Sequence, residues 1–153
     1  VLTAWRIAKE RFASKMFGGD GARVYGGRWN SPRYWVVYTS ATASLAVLEV
    51  LANADSPDLL SSYVIASCTF DESLVTSVDV DDIPIDWREP KPPRELQMIG
   101  DEWIRSERSA VLSVPSAIIE HERNYLLNPV HADFKHIKLS SPKPFVFDLR
   151  LVT

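Results

Sequence analysis

Residues 41–54, ATASLAVLEVLANA, constrain the fold more than any other stretch. Alanine, leucine and valine occupy nearly every helical face, and Ser40 or Thr42 stands where an N-cap is needed. A helix that is apolar all round is expected to be buried all round, so the rest of the chain has to surround it. Its one charge is Glu49. One turn away on either side lie Leu45 and Asn53, so no cation within the helix can pair with it. Taking a lone carboxylate out of water costs on the order of several kcal/mol. Glu49 therefore needs a partner from elsewhere in the fold.

Residues 17–32, FGGDGARVYGGRWNSP, hold five of the six glycines. A glycine-rich loop of this length is more often functional than decorative. Inside it, GGRWNSP sets Arg28 between two glycines and a tryptophan. As a plain turn it would leave Arg28 a solvated charge; as a binding loop it would present Arg28 to an anion.

The remaining pattern is strand-rich. LTAWRI (2–7), the run at 34–40, YVIASCTF (63–70), LVTSVD (74–79) and IPIDW (83–87) read as strands. A proline-rich connection (88–95) leads to an amphipathic helix over 96–108, and SAVLSVPS (109–116) returns to strand character. AIIEHERNYLLNP follows, then HADF as a turn of helix, with HIKLSS and PFVFDLRL as closing strands. The order predicts an α+β fold: a mostly antiparallel or mixed sheet with flanking helices, in one domain spanning 1–153.

Composition narrows the function. A net charge of −3 argues against a general nucleic-acid binder. No apolar run approaches the ~20 residues of a membrane helix, and the N-terminus lacks a hydrophobic signal core. These features fit a soluble cytoplasmic domain. Cys68 is the single cysteine, which rules out an internal disulfide, and it lies in an apolar strand pattern where a thiol acts as a small core residue. His121, His131 and His136 match no zinc spacing and read as surface or hydrogen-bonded loop residues; no metal is expected. Neither a G-x-S-x-G elbow nor a phosphate-binding glycine fingerprint occurs.

What remains is a spread set: Arg28, Tyr38, Glu49 and the serines of SAVLSVPS. Each has a structural reading too. Arg28 fits a turn, Tyr38 a core aromatic, Glu49 a surface glutamate, and Ser116 the cap of the next segment. Taken together, a carboxylate short of a cation and an arginine offered to an anion suggest a site.

GGRWNSP…VVYTSATASLAVLEVL, followed by VPSAIIEHERNYLLNP, closely resembles the RES domain, and the resemblance runs over essentially the whole chain. It implies a bacterial type II toxin with a fold similar to ADP-ribosyltransferase toxins. The implied partner is an Xre-like helix-turn-helix antitoxin that blocks the active site. The implied substrate is NAD, cleaved at its nicotinamide–ribose bond by hydrolysis or phosphorolysis; the alternative is ADP-ribosylation of a protein. The arginine, glutamate and serine of the family fall on Arg28, Glu49 and Ser116, with Ser109 and Ser113 as rivals for the serine. Tyr38 falls on an active-site tyrosine, and Asn124 is expected to support the site. On this reading Arg28 meets the pyrophosphate and Tyr38 stacks on the nicotinamide or adenine. Ser116 bonds the nicotinamide amide or a ribose hydroxyl. No direct contact with nucleic acid or membrane is implied, and a homodimer remains open.

Overall fold

Alternation along the strands builds two cores, one on each face of a single sheet. In β5 (Val111–Pro115), Leu112 and Val114 point to one face while Val111 points to the other. In β6 (Arg123–Leu127), Leu126 takes the first face and Tyr125 and Leu127 the second. This is the period-two consequence of an extended backbone. The structure is a computed structural model, and it describes residues 1–152.

The other strands are β1 (Leu2–Lys9), β2 (Val37–Ser40), β3 (Tyr63–Phe70), β4 (Val75–Ser77), β7 (Lys138–Leu139) and β8 (Lys143–Phe145). They join in the order β4-β5-β6-β2-β1-β3-β7, with β8 sharing the outer side of β3. The β4–β5 pair is parallel and the other pairs are antiparallel, so the predicted α+β class with a mixed sheet is borne out. β1 and β3 zip along their whole length. β1 and β2, by contrast, register at Trp5 and Ser40 alone, and the sheet opens beyond that point.

Helix α2 (Ala43–Asn53) packs on β1 and β2, and helix α3 (Arg94–Ser106) covers β5 and β6 through Leu96 and Trp103. Both stand on the same face of the sheet. Thr42, rather than Ser40, caps α2, accepting the Leu45 N–H at 3.0 Å. The expectation that this helix is buried all round fails. Only Leu45 and Ala46 are buried, and Leu48 is exposed. Val47 and Leu51 pack, only partly buried, against the cluster of Ile7 and Tyr63, and Val50 lines a cleft.

Other boundaries shift for local reasons. The glycine-rich loop contains a short helix, α1 (Asp20–Tyr25), and the strand expected from residue 34 begins at Val37. Residues 83–87 form turns rather than a strand: the Trp87 N–H returns to the Pro84 carbonyl, Ile85 is fully exposed and Trp87 is buried. Strand β6, within AIIEHERNYLLNP, is central to the sheet. Of PFVFDLRL only Pro144 and Phe145 belong to a strand. Phe147 packs edge-on against Tyr63 and Phe145, which lifts the chain off the sheet. His131 is a hydrogen-bonded loop residue: Nδ1 accepts the Asp133 N–H, and Nε2–H donates to the Glu107 carbonyl.

Cys68 sits in the core against Ala4 and Phe70, 1% exposed, and burial pushes its thiol up to about 12. Alkylation of the native protein is expected to be roughly 1000-fold slower than that of a free cysteine from the loss of thiolate alone. Mass-shift labelling with and without denaturant measures this. Comparable rates in the two states would contradict the packing.

Candidate functional site

The cleft lies on the face carrying both helices, where β1 and β2 part. Trp5, Ile7, Phe12, Val50 and Tyr63 line its apolar side, and Arg28, Tyr38, Ser40, Glu49 and Asn124 its polar side. Its volume is about 590 Å³, within the range of small-molecule sites. A larger hollow of about 930 Å³ beside Met16 and Pro142 has Glu10, Lys15, Asp20 and Ser140 on its polar side, and none of Arg28, Tyr38, Glu49 or Asn124 lines it.

Glu49 comes to the cleft one turn beyond the buried Leu45–Ala46 stripe of α2. Its partner arrives from β5: the chain leaves the strand at Pro115, and the Ser116 hydroxyl donates to Glu49 Oε1 at 3.3 Å. Ser116 is fully buried, and the same oxygen accepts the backbone N–H groups of Ile118 and Ile119, each at 3.1 Å. It therefore caps the following turn and touches the carboxylate at once. Burial raises the Glu49 carboxyl above its ordinary value. Hydrogen bonds from Asn124 and Ser116, and the nearby charge of Arg28, oppose that rise.

Asn124 enters from β6, with Nδ2 also donating to Ser40 Oγ at 3.1 Å and to the Thr39 carbonyl at 3.3 Å. Of the rival serines, Ser109 bonds Trp103, Thr76 and Val111 beneath α3, and Ser113 accepts from Arg123 Nε. None of the three serines lines the cleft itself; Ser116 alone reaches it, through its hydrogen bond to Glu49.

Tyr38 lines the cleft with its hydroxyl already engaged. The oxygen accepts the Trp29 N–H at 3.0 Å, and its proton goes to Asn30 Oδ1 at 2.7 Å. Burial pushes the phenol pKa upward, so it stays protonated. Gly27 has no side chain for a physical reason: a Cβ there would sit 2.5 Å from the Tyr38 hydroxyl. Trp29 turns away from solvent into the core between α3 and the sheet.

Arg28 is not the freely solvated charge of a turn. Its Nη1 donates to the Trp87 and Glu89 carbonyls, both at 2.9 Å, so it braces the proline-rich connection. Burial lowers its pKa, and the negative charge of Glu49 raises it. The rest of the fork makes no hydrogen bond to the described residues, while the residue lines the cleft.

Arg6 is a cleft residue that the strand pattern did not disclose. It fills the opening between β1 and β2, with Nε on the Met16 carbonyl at 2.5 Å and Nη1 on the Tyr38 carbonyl at 3.0 Å. Burial brings its pKa down to about 10, so it remains charged near neutrality. No carboxylate pairs with it among the described residues. The available signal was a lone arginine inside a strand otherwise apolar from Ala4 to Ala8.

A family model for the RES domain matches residues 3–148. The chain belongs to the RES domain family. The resemblance carried by GGRWNSP, the Glu49 helix and VPSAIIEHERNYLLNP is thus borne out. A relative from Photorhabdus laumondii, named Toxin Res, is 37% identical over 152 residues, covering 99% of this RES domain and 97% of its own length. A Sphingobium protein named Prs ADP-ribosylating toxin is 31% identical over 153 residues, covering 97% and 95% respectively. Among solved structures, a chain of the M. tuberculosis MbcT–MbcA toxin–antitoxin complex superposes with a TM-score of 0.77. At 16% identity, over 95% of this RES domain and 84% of that chain, it shares the fold.

Proposed function

We propose that this RES domain is the toxin of a bacterial toxin–antitoxin pair, and that its cleft binds NAD and cleaves the nicotinamide–ribose bond. The observation that carries the reading is Glu49: a partly buried carboxylate at the cleft, held by Ser116 and engaged in no ion pair among the described residues. Its charge is left available to a cation that forms only during reaction.

Breaking that bond leaves an oxocarbenium-like ribose. A carboxylate fixed in advance beside the anomeric carbon stabilises the transition state more than the ground state. Nicotinamide departs from a cationic ring as a neutral molecule, taking the bonding electron pair, and needs no proton donor. An acceptor oxygen then bonds to the anomeric carbon. Water yields ADP-ribose and a proton, whereas phosphate yields the 1-phosphate. Arg28 and Arg6 offer two guanidinium groups to the pyrophosphate. The Tyr38 ring supplies a stacking surface, and its engaged hydroxyl fixes the ring's orientation. Ser116 holds Glu49 in place, which is a positioning role.

Arg28→Ala is expected to raise KM for NAD about tenfold or more through the lost phosphate contact, with a smaller change in kcat. Arg28→Lys should restore little, because lysine lacks the planar fork whose one nitrogen braces two carbonyls while the others face the cleft. An unchanged KM in both variants would remove Arg28 from the binding site.

The second reading is transfer of ADP-ribose to a protein, favoured by the name of the Sphingobium relative, an ADP-ribosylating toxin. It uses the same carboxylate with a different acceptor. Chromatography of NAD incubated with the pure protein, with and without phosphate, separates the first two acceptors, and labelled NAD followed into protein detects the third. Intact NAD and unlabelled protein under all conditions would reject both readings. We further propose an Xre-like antitoxin that covers the cleft, a cytoplasmic location and one domain over 1–153. Support for the partner comes from the fold shared with a chain of a toxin–antitoxin complex.

A further inference from the structure

Three residues on one face of α3, at spacing i, i+3 and i+4, meet the glycine loop. Gln97 Nε2 donates to the carbonyls of Gly27 and Asn30 at 3.0 and 3.1 Å. Gly100 lies so close that a methyl group there would sit 1.6 Å from the Trp29 carbonyl oxygen. Asp101, 7% exposed, accepts the Ser31 N–H at 2.9 Å through Oδ1 and the Ser31 hydroxyl at 2.5 Å through Oδ2. No cation pairs with Asp101 among the described residues, so loop donors take the place of an ion pair.

The loop closes on itself as well. Gly27 N–H donates to the Asn30 carbonyl at 3.0 Å, and Trp29 N–H to the Tyr38 hydroxyl at 3.0 Å. Arg28 thus has its backbone pinned on both sides, by Gln97 on the Gly27 carbonyl and by Tyr38 on the Trp29 amide. Asn30 links the two arms: its carbonyl accepts from Gln97 and its side chain accepts from Tyr38.

We propose that the Gln97–Gly100–Asp101 face of α3 is a positioning element of the site, with Gln97 and Asp101 setting where the glycine loop presents Arg28 and meets the Tyr38 hydroxyl. Neither residue lines the cleft, so both act through the loop. The catalytic part of the claim rests on the NAD reading above; the mechanical part does not.

The test therefore has two arms. Amide hydrogen exchange is followed in the ligand-free wild type, Gln97→Glu, Asp101→Ala and Asp101→Asn, with β5 and β6 amides as internal control. Gln97→Glu is nearly isosteric and sets a carboxylate against two carbonyls; Asp101→Asn keeps one acceptor and turns the other into a donor that Ser31 Oγ can accept. Exchange at Gly27, Trp29 and Ser31 is expected to rise about tenfold or more in Gln97→Glu and Asp101→Ala, and to return towards wild type in Asp101→Asn, with the control amides unchanged. Unchanged loop exchange overturns the proposal whatever the substrate. So does a uniform rise that includes β5 and β6, which would mark a general loss of stability.

In the second arm, KM for NAD is expected to rise about tenfold in Gln97→Glu, and that effect should largely vanish in an Arg28→Ala background, where the residue acted upon is missing. Faster loop exchange with unchanged KM, or an effect fully additive with Arg28→Ala, overturns the positioning role. Absence of NAD breakdown by the wild type rejects the substrate, and the exchange arm then decides the proposal alone.

Discussion

Glu49→Gln is expected to fold normally and to lose about 100- to 1000-fold in NAD turnover, the scale of removing one preorganised electrostatic contact in a catalytic site. The amide keeps the size of the side chain and can still accept from Ser116, so the loss reports charge. The pH dependence sharpens the assignment. Burial raises the Glu49 pKa in the folded protein, and activity requires the carboxylate. The acid limb of the rate profile is therefore expected above the ordinary glutamate value and absent from the residual activity of the variant. Stability moves the other way. A group whose folded pKa is raised contributes stability below its unfolded pKa and loses it as pH rises through the folded value. At neutral pH the ionised Glu49 is a cost that glutamine removes, so the variant should melt no lower than wild type. Full turnover in Glu49→Gln, or a fall in melting temperature at neutral pH with no loss of activity, would contradict the role given to this carboxylate.

Gly100→Ala is expected to be the most damaging single-methyl change in α3. Helix propensity alone favours alanine by about 1 kcal/mol. Against it stands an oxygen 1.6 Å from the new carbon, and that oxygen belongs to backbone that cannot rotate away. Overpacking of this kind costs about 3 kcal/mol or more, so the steric term wins. With the propensity gain subtracted the net loss is about 2 kcal/mol, so the melting temperature should fall by roughly 4 to 8 °C. NAD turnover should fall with it, because relieving the clash pushes the Trp29 segment, and Arg28 beside it, away from the cleft. Thermal denaturation followed by circular dichroism, with turnover assayed well below the transition, checks both halves. A stabilised and fully active variant would show that α3 does not press on the loop.

Much of the fold was legible because burial imposes a period. Strands such as YVIASCTF declared themselves by alternation, and the helix carrying Glu49 by composition and its Thr42 cap. What failed were short segments whose state depends on distant contacts. IPIDW has strand composition, yet Arg28 and the core pocket of Trp87 hold that region in turns. PFVFDLRL leaves the sheet because Phe147 finds Tyr63. The α2 helix looked buried on every side because alanine and valine also suit the wall of a cleft.

The sequence by itself determined that Glu49 lacks a local partner and that a glycine loop carries Arg28 beside Trp29, since both follow from spacing along one chain. Tertiary structure alone decided which of three serines meets the carboxylate. Ser109, Ser113 and Ser116 share one segment, but alternation and the turn after Pro115 send only Ser116 to Glu49. It likewise decided that Arg6 fills the opening between β1 and β2, and that α3 grips the glycine loop. Such contacts join residues up to 70 positions apart. Local preference fixes the direction of the chain over a few residues; only packing of the whole sheet and its two helices brings those distant groups within hydrogen-bond reach.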